Sequence, residues 1–240
     1  MIKKLFKFIR NILVLLILFA ILFICYLFYS GYTMYKEEID KVSISDRVAQ
    51  IEATTNYTQI EDMPQIYKDA VVAIEDHRFY EHHGIDPIST FRAFFVNIQE
   101  GGLEQGGSTI TQQLSKNMYF SQEKKFTRKI AELFVAFDLE KNYDKNKILE
   151  LYINTMYFGK GYYGIKEASN GYFDKEPIDL SDYEATYIAG IPNAPSIFSS
   201  SKYSDLAIKR HKLVLDAMVK YNKISQETAN QIYNSQKNIE

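Results

Sequence analysis

Nineteen consecutive residues, Asn11 to Tyr29 (NILVLLILFAILFICYLFY), carry no formal charge. As a helix rising about 1.5 Å per residue, such a run is as long as the hydrocarbon core of a bilayer is thick. Lys3, Lys4, Lys7 and Arg10 stand immediately before it. Cations crowded at one end of a span mark its cytoplasmic side. The sequence therefore predicts a cytoplasmic stretch over 1–10, a membrane helix over 11–30, and everything after Ser30 outside the cell membrane. Tyr26, Tyr29, Tyr32 and Tyr35 fit an interfacial aromatic belt. The competing reading is a cleaved leader. It is disfavoured because the run exceeds the usual apolar core of a leader and no clean small-x-small site comes after it.

Composition sharpens this division. The single cysteine, Cys25, lies inside the apolar run, so the remainder must fold on its hydrophobic core without disulfides. Net charge is −2, and the first ten residues contribute +4, leaving −6 on the rest. An acidic body argues against nucleic-acid partners and makes any local cluster of cations informative.

After a polar connector over 31–60, periodic apolar positions predict one mainly α domain over 61–240, with few strand signals and no internal repeats. A first helix starts near Asp62-Met63-Pro64 and ends at about Asp76. Asp86-Pro87 opens a second, about 87–100, whose Phe91, Phe94, Phe95 and Ile98 fall at helical spacing. That stripe reads as core, with insertion into the bilayer surface as the alternative. Thr109 with Gln112 fits a capping box opening a third helix. Helices over about 126–141 and 145–157 carry the stripes Phe126, Ile130, Leu133, Phe134, Phe137 and Ile148, Leu149, Tyr152, Ile153. Ser181 with Glu184 makes a second capping box, and helices over about 204–222 and 225–237 close the chain. The glycine-rich turn Phe158–Gly164 lacks the strand-then-helix setting of a dinucleotide fingerprint. The four histidines do not form a zinc-like ligand set.

Chemistry concentrates in two places. Glu75-Asp76-His77-Arg78-Phe79-Tyr80-Glu81-His82-His83-Gly84 comes just after the apolar positions Ile66, Ala70, Val71 and Ile74. Glu75 thus sits beside buried residues at a helix C-terminus, where desolvation and the negative helix end both oppose its charge. A carboxylate so placed is suited to general acid–base work; an ordinary solvated helix end remains open at this point. The second place is Ser115–Ile130, which carries a net +4 in sixteen residues from Lys116, Glu123, Lys124, Lys125, Arg128 and Lys129. Such a cluster suits a pyrophosphate or an anionic head group, and a solvated face is the alternative. Hydroxyls, amides and N–H groups at the start of the third helix (Ser108, Thr109, Thr111, Gln112, Gln113) are a further candidate anion site. Arg128, Lys129 and Glu132 share one side of their helix, which leaves Glu132 as either an exposed ion-pair partner or a second active-site carboxylate.

These residues fall into five ordered motifs: Glu75-Asp76-x-x-Phe79-x-x-His82-x-Gly84; Gly106 to Gln113 (GGSTITQQ) with Lys116-Asn117 after it; Arg128-Lys129-x-x-Glu132; Lys145-x-x-Ile148-Leu149-Glu150-x-Tyr152-x-Asn154; and Arg210-His211-x-x-Val214-Leu215. With them the chain resembles the peptidoglycan glycosyltransferases of glycosyltransferase family 51, the transglycosylase domain of penicillin-binding proteins, over about residues 60–220. It is most similar to the monofunctional, membrane-anchored kind. The resemblance implies a mainly α, lysozyme-like domain that polymerises lipid II into β-1,4 glycan with release of undecaprenyl pyrophosphate. Glu75 matches the general base for the acceptor hydroxyl, and Glu132 the second glutamate, which assists the pyrophosphate directly or through a divalent cation (Mg or Mn). No organic cofactor is implied. Ser108, Thr109, Thr111, Gln112, Gln113, Lys116, Asn117, Lys124, Arg128 and Lys129 match the substrate-binding positions. Implied partners are lipid II, the growing glycan chain, membrane lipids and the transpeptidases of the wall machinery. His211 and Lys124 stand where relatives carry Arg; each keeps a possible cation without the planar fork. The main rival is a membrane-bound muramidase or lytic transglycosylase, which has no pyrophosphate to stabilise. A catalytically dead scaffold would lack Glu75 or Glu132.

Overall fold

A computed structural model describes residues 2–100, 106–120, 126–192 and 205–235. The apolar run is part of one helix, α1 (Ile2–Lys41), that continues without a break for forty residues. It is long and apolar enough to cross a membrane, with a mean hydropathy of 3.1 in its most apolar window and no part of that window covered by the rest of the chain. Leu15, Phe19, Leu22 and Tyr29 are among its exposed side chains. Water would not tolerate such a surface on an isolated helix, and the chain is membrane-anchored through it.

The first part of the connector is thus helical, and it belongs to the body. Beyond the apolar run α1 lies along α6 (Phe126–Asn142). Tyr32 and Tyr35 of the expected aromatic belt also join α1 to the body. Their rings pack on Phe134 with centroids 5.3 and 5.5 Å away, and the Tyr35 hydroxyl donates to Asp138. Gly31 permits this approach, because a Cβ there would lie 2.6 Å from Ile130 Cβ. Gly31→Leu is accordingly expected to destabilise the body by about 1–3 kcal/mol, the cost of overpacking a close contact, as thermal unfolding in detergent would register. An unchanged melting temperature would show that α1 does not dock here.

The body is helical throughout its described residues, with only two isolated β-bridges, His83–Ile85 and Tyr157–Tyr163. Its helices are α2 (Ile44–Glu52), α3 (Gln65–Glu75), α4 (Pro87–Glu100), α5 (Ile110–Tyr119), α6, α7 (Lys145–Thr155), α8 (Gly164–Phe173), α9 (Asp182–Ala189), α10 (Asp205–Lys220) and α11 (Gln226–Asn234). α3 is central and packs against α9 and α10, while α5 packs against α6 and α7. Ala70, Val71, Ile110, Leu114, Ile148, Leu151 and Ile188 are among its fully buried residues. α8 is a helix that the sequence pattern does not announce; the glycines of the preceding turn mask its start.

Two apolar stripes face elsewhere than expected. On α4, Phe91 and Phe95 are 66% and 60% exposed and Ile88 is 59% exposed, so this face is not core; the side chains of Phe94 and Ile98 lie outside the described residues. On α6, Phe126 and Phe137 are exposed, and the buried face is Ala131, Val135, Ala136 and Leu139. Small residues let α5 approach closely, and the aromatic stripe is displaced toward α1. Glu132 therefore belongs to the inner face of α6.

The fourth motif ties the connector to this core. Glu150 accepts from Tyr57 and from the Ile60 N–H, and Asn154 bonds both the N–H and the carbonyl of Thr58 at 2.8 and 2.9 Å. The buried Glu150 is satisfied by these bonds and by Lys147, as a carboxylate out of water must be.

Candidate active site

α3 ends at Glu75, and the turn beyond it is pinned from several sides. Asp76, buried, accepts from His82 Nε2 at 2.9 Å and from the Ile110 N–H at 3.0 Å, so one carboxylate fixes both the turn and the start of α5. Phe79 anchors the turn in the core. Gly84, with φ +81°, makes the bend into α4, and its carbonyl accepts from Thr109 Oγ1 at 2.6 Å. Thr109 and Gln112 form the expected capping box. α5 is thereby fixed against the end of α3, and Gln113 Nε2 reaches Glu75 Oε2 at 3.0 Å.

Glu75 stands half-buried in the wall of a cleft of about 690 Å³, lined also by His77, Arg92, Ser108, Arg210 and Tyr221. Burial pushes its carboxyl above the usual carboxylate range; the Gln113 hydrogen bond, Arg210 and Lys116 pull the other way. One turn along α5 from Gln113, Lys116 is electrostatically coupled to both Glu75 and Glu132, with burial lowering its ammonium pKa. Glu132 is 1% exposed. Arg128 Nη1 holds one of its oxygens at 2.7 Å and Lys129 Nζ the other at 2.9 Å. Lys129 also donates to Ser108 Oγ at 2.8 Å. A carboxylate so buried is tolerated only with such partners. In return it holds two cations at fixed positions, adding to the charge presented by Lys116.

The site thus combines a carboxylate primed to take a proton with a fixed group of cations beyond Lys116. Such a constellation is suited to attack by a hydroxyl on a centre whose leaving group is an anion. A family model for transglycosylases matches residues 43–219. This chain belongs to the transglycosylase family. Penicillin-binding protein 1F of Bacillus subtilis (strain 168) is 45% identical over 170 residues, which are 71% of this chain and 24% of the relative. Penicillin-binding protein 1A of Neisseria flavescens is 42% identical over 180 residues, 75% and 23% of the two chains. The chain spans about a quarter of the length of these relatives. The lysozyme-like, mainly α fold expected from the motifs is that of the transglycosylase domain.

The expected site residues divide, and of them Glu75, Ser108 and Thr109 line the cleft itself. Glu75, Gln113, Lys116, Arg128, Lys129, Glu132 and Ser108 come together. Thr109, Thr111 and Gln112 hold the scaffold: Thr111 is fully buried and donates to Glu140 at 2.6 Å, and the other two close the cap. At the start of α5 the N–H groups of Thr109, Ile110 and Gln112 are taken by Gln112, Asp76 and Thr109. Asn117 is exposed at the end of the same face, 3.4 Å from the Thr155 carbonyl. Lys124 lies outside the described residues. Glu132 does not fit a divalent-cation ligand in this arrangement, because both its oxygens are already held by cations.

His211 needs a correction. It is 1% exposed, ringed by Tyr183 and Tyr187, and hydrogen-bonded to Thr186 at 2.8 Å. Burial lowers its pKa to about 4, so at neutral pH it is no cation but a packed, neutral ring. Its neighbour Arg210 takes the cleft position, donating to the Gly190 carbonyl at 3.2 Å and facing Glu75. The fifth motif contains this arginine, and its spacing alone does not say which of Arg210 and His211 points inward. Buried neutral histidine also makes stability depend on pH. The folded state resists protonating His211 until about pH 4 while the unfolded chain takes the proton near pH 6.5. Stability should therefore fall as pH drops through that window, by about 3 kcal/mol in full. Urea unfolding against pH should show that loss in the parent and not in His211→Leu; parallel curves would refute it.

Proposed function

We propose that this chain is a peptidoglycan glycosyltransferase that polymerises lipid II into β-1,4-linked glycan strands and releases undecaprenyl pyrophosphate. The observation that carries this reading is the linking of Glu75 to the Arg128–Lys129–Glu132 group through Lys116, which is electrostatically coupled to both glutamates. The Glu75 carboxylate removes the proton from the acceptor sugar's 4-hydroxyl. The oxygen attacks the anomeric carbon of the growing chain, and the bond to pyrophosphate breaks on the opposite face, inverting that carbon. The electron pair leaves on pyrophosphate, whose growing charge Lys116, Arg128 and Lys129 neutralise from fixed positions. A hydrolase of similar shape would have no use for those cations.

The membrane helix fits a lipid-linked substrate. With the cations at its N-terminus on the cytoplasmic side, α1 presents the cleft outside the cell membrane. The exposed Ile88, Phe91 and Phe95 face of α4 then rests in the bilayer surface. The growing chain, lipid II and membrane lipids are the direct partners, and transpeptidases of the wall machinery act on the product. The test is to incubate purified full-length protein with labelled lipid II and separate the products on a gel. A glycan ladder from the parent that disappears in Glu75→Gln supports the reading. No ladder from folded parent protein would overturn it.

A further inference from the structure

Beneath Glu75 lies a hydrogen-bonded chain that the reaction scheme does not use. Tyr152, on α7, is 1% exposed, and its hydroxyl donates to Gln113 Oε1 at 3.1 Å. The other end of the same amide donates to Glu75 Oε2 at 3.0 Å. Three helices, α7, α5 and α3, are thereby joined through one side-chain amide.

The direction of this chain is set by what each member can do. A primary amide has a donor end and an acceptor end, and it can turn over to exchange them. A buried tyrosine hydroxyl must place its proton on an acceptor or leave it unsatisfied. Among the described residues, Gln113 Oε1 is the acceptor shown for Tyr152. Deprotonation of the hydroxyl offers no escape, because burial raises its pKa far above the ordinary value and Glu75 adds to the effect. With the carbonyl end committed to Tyr152, the –NH2 end faces the carboxylate. We infer that Tyr152 is a positioning residue for Glu75, orienting the Gln113 amide so that it donates to the ionised carboxylate.

The inference rests on Glu75 acting as the base and adds how its readiness is tuned. The other groups facing Glu75 include Arg210 from α10, Lys116 from α5, Tyr67 within α3 and Asp76 beside it. Burial raises the carboxyl pKa of Glu75. The donated hydrogen bond from Gln113 opposes this directly, and the two cations act from farther away. If the amide turned over, its carbonyl would face the carboxylate and favour the protonated, inactive form. Tyr152 prevents that.

Tyr152→Phe removes only the hydroxyl and keeps the ring in the core. The expected result is that the acid limb of the kcat–pH profile moves up by about one pH unit. Turnover on that limb then falls about tenfold, while the alkaline plateau and the KM for lipid II stay parental. Gln113→Leu should shift the limb in the same direction, and adding Tyr152→Phe to it should shift it no further, since both act through one amide. The second readout needs no catalysis: the Glu75 side-chain carboxyl, tracked by 13C NMR in detergent micelles, should titrate higher in Tyr152→Phe than in the parent. An unchanged Glu75 titration would overturn the inference. So would a loss of rate that is uniform across pH, which is what a merely structural role produces. If the parent makes no glycan, the polymerase reading fails, and the carboxyl titration still decides the relay.

Discussion

Glu75→Gln is expected to slow glycan polymerisation by about 10²–10⁴-fold, the usual cost of removing a general base, while leaving the protein at least as stable as the parent at neutral pH. Glutamine keeps the shape and can still accept from Gln113, so the cleft should persist. It cannot take the proton of the attacking hydroxyl. The stability half comes from linkage. Burial raises the carboxyl pKa of Glu75 in the folded state. The stability linked to this group is present in full below the unfolded carboxylate range and is lost as pH rises through the raised folded value. At neutral pH the parent bears that loss and the variant does not; in acid the two should converge. Lipid II gels and thermal unfolding at both pH values check the pair of statements. A variant that polymerises at a near-parental rate would remove Glu75 from the mechanism. One that unfolds markedly earlier at neutral pH would contradict the burial argument.

Arg128→Ala carries the second large effect, an expected drop of about 10²–10³-fold in kcat, the scale of losing a fixed group that stabilises developing charge. The loss has two sources. One cation no longer meets the leaving pyrophosphate, and Glu132, 2.7 Å from Arg128 in the parent, keeps a charge that now repels it. KM should change less than kcat, because the missing interaction strengthens as the bond to the leaving group breaks. Arg128→Lys should fall between parent and alanine, retaining charge without the planar fork. Steady-state kinetics with lipid II, on protein shown to be folded, tests this. Near-parental kcat in Arg128→Ala would mean that the leaving group departs elsewhere.

Local sequence carried most of what positions this site. The capping boxes at Thr109 and Ser181, the end of α3 at Glu75 and the inward face of α7 depend on neighbours within a few residues, and they are found where the pattern places them. What the pattern did not carry is which of two available faces a helix buries. On α6 the larger aromatic stripe points toward α1 and outward, because α5 needs the small Ala131–Val135–Ala136 face to come close. On α4 the stripe at Phe91 and Phe95 stays exposed among the described residues. The same limit hid Arg210. Arginine and histidine are adjacent in the motif, and only the packing of Tyr183 and Tyr187 around His211 turns the arginine toward Glu75. Thr111 and Gln112 show the converse. Polar residues close to Glu75 look like ligands for substrate, yet their bonds run to Glu140 and to Thr109.

The unbroken run of α1 into the body also sets a height. From Tyr29 to Lys41 the helix climbs roughly 18 Å at about 1.5 Å per residue without a joint, and it is clamped to α6, which carries Arg128, Lys129 and Glu132. Arg128, Lys129 and Glu132 are therefore held at a fixed distance from the apolar run, like a tool on a rigid post. The proposed substrate, tethered in the same bilayer, would need to search only a plane and would meet the cleft at one level each time. On the proposed function, each new sugar would be joined at that one level, and a lengthening strand would move past a cleft that stays in place.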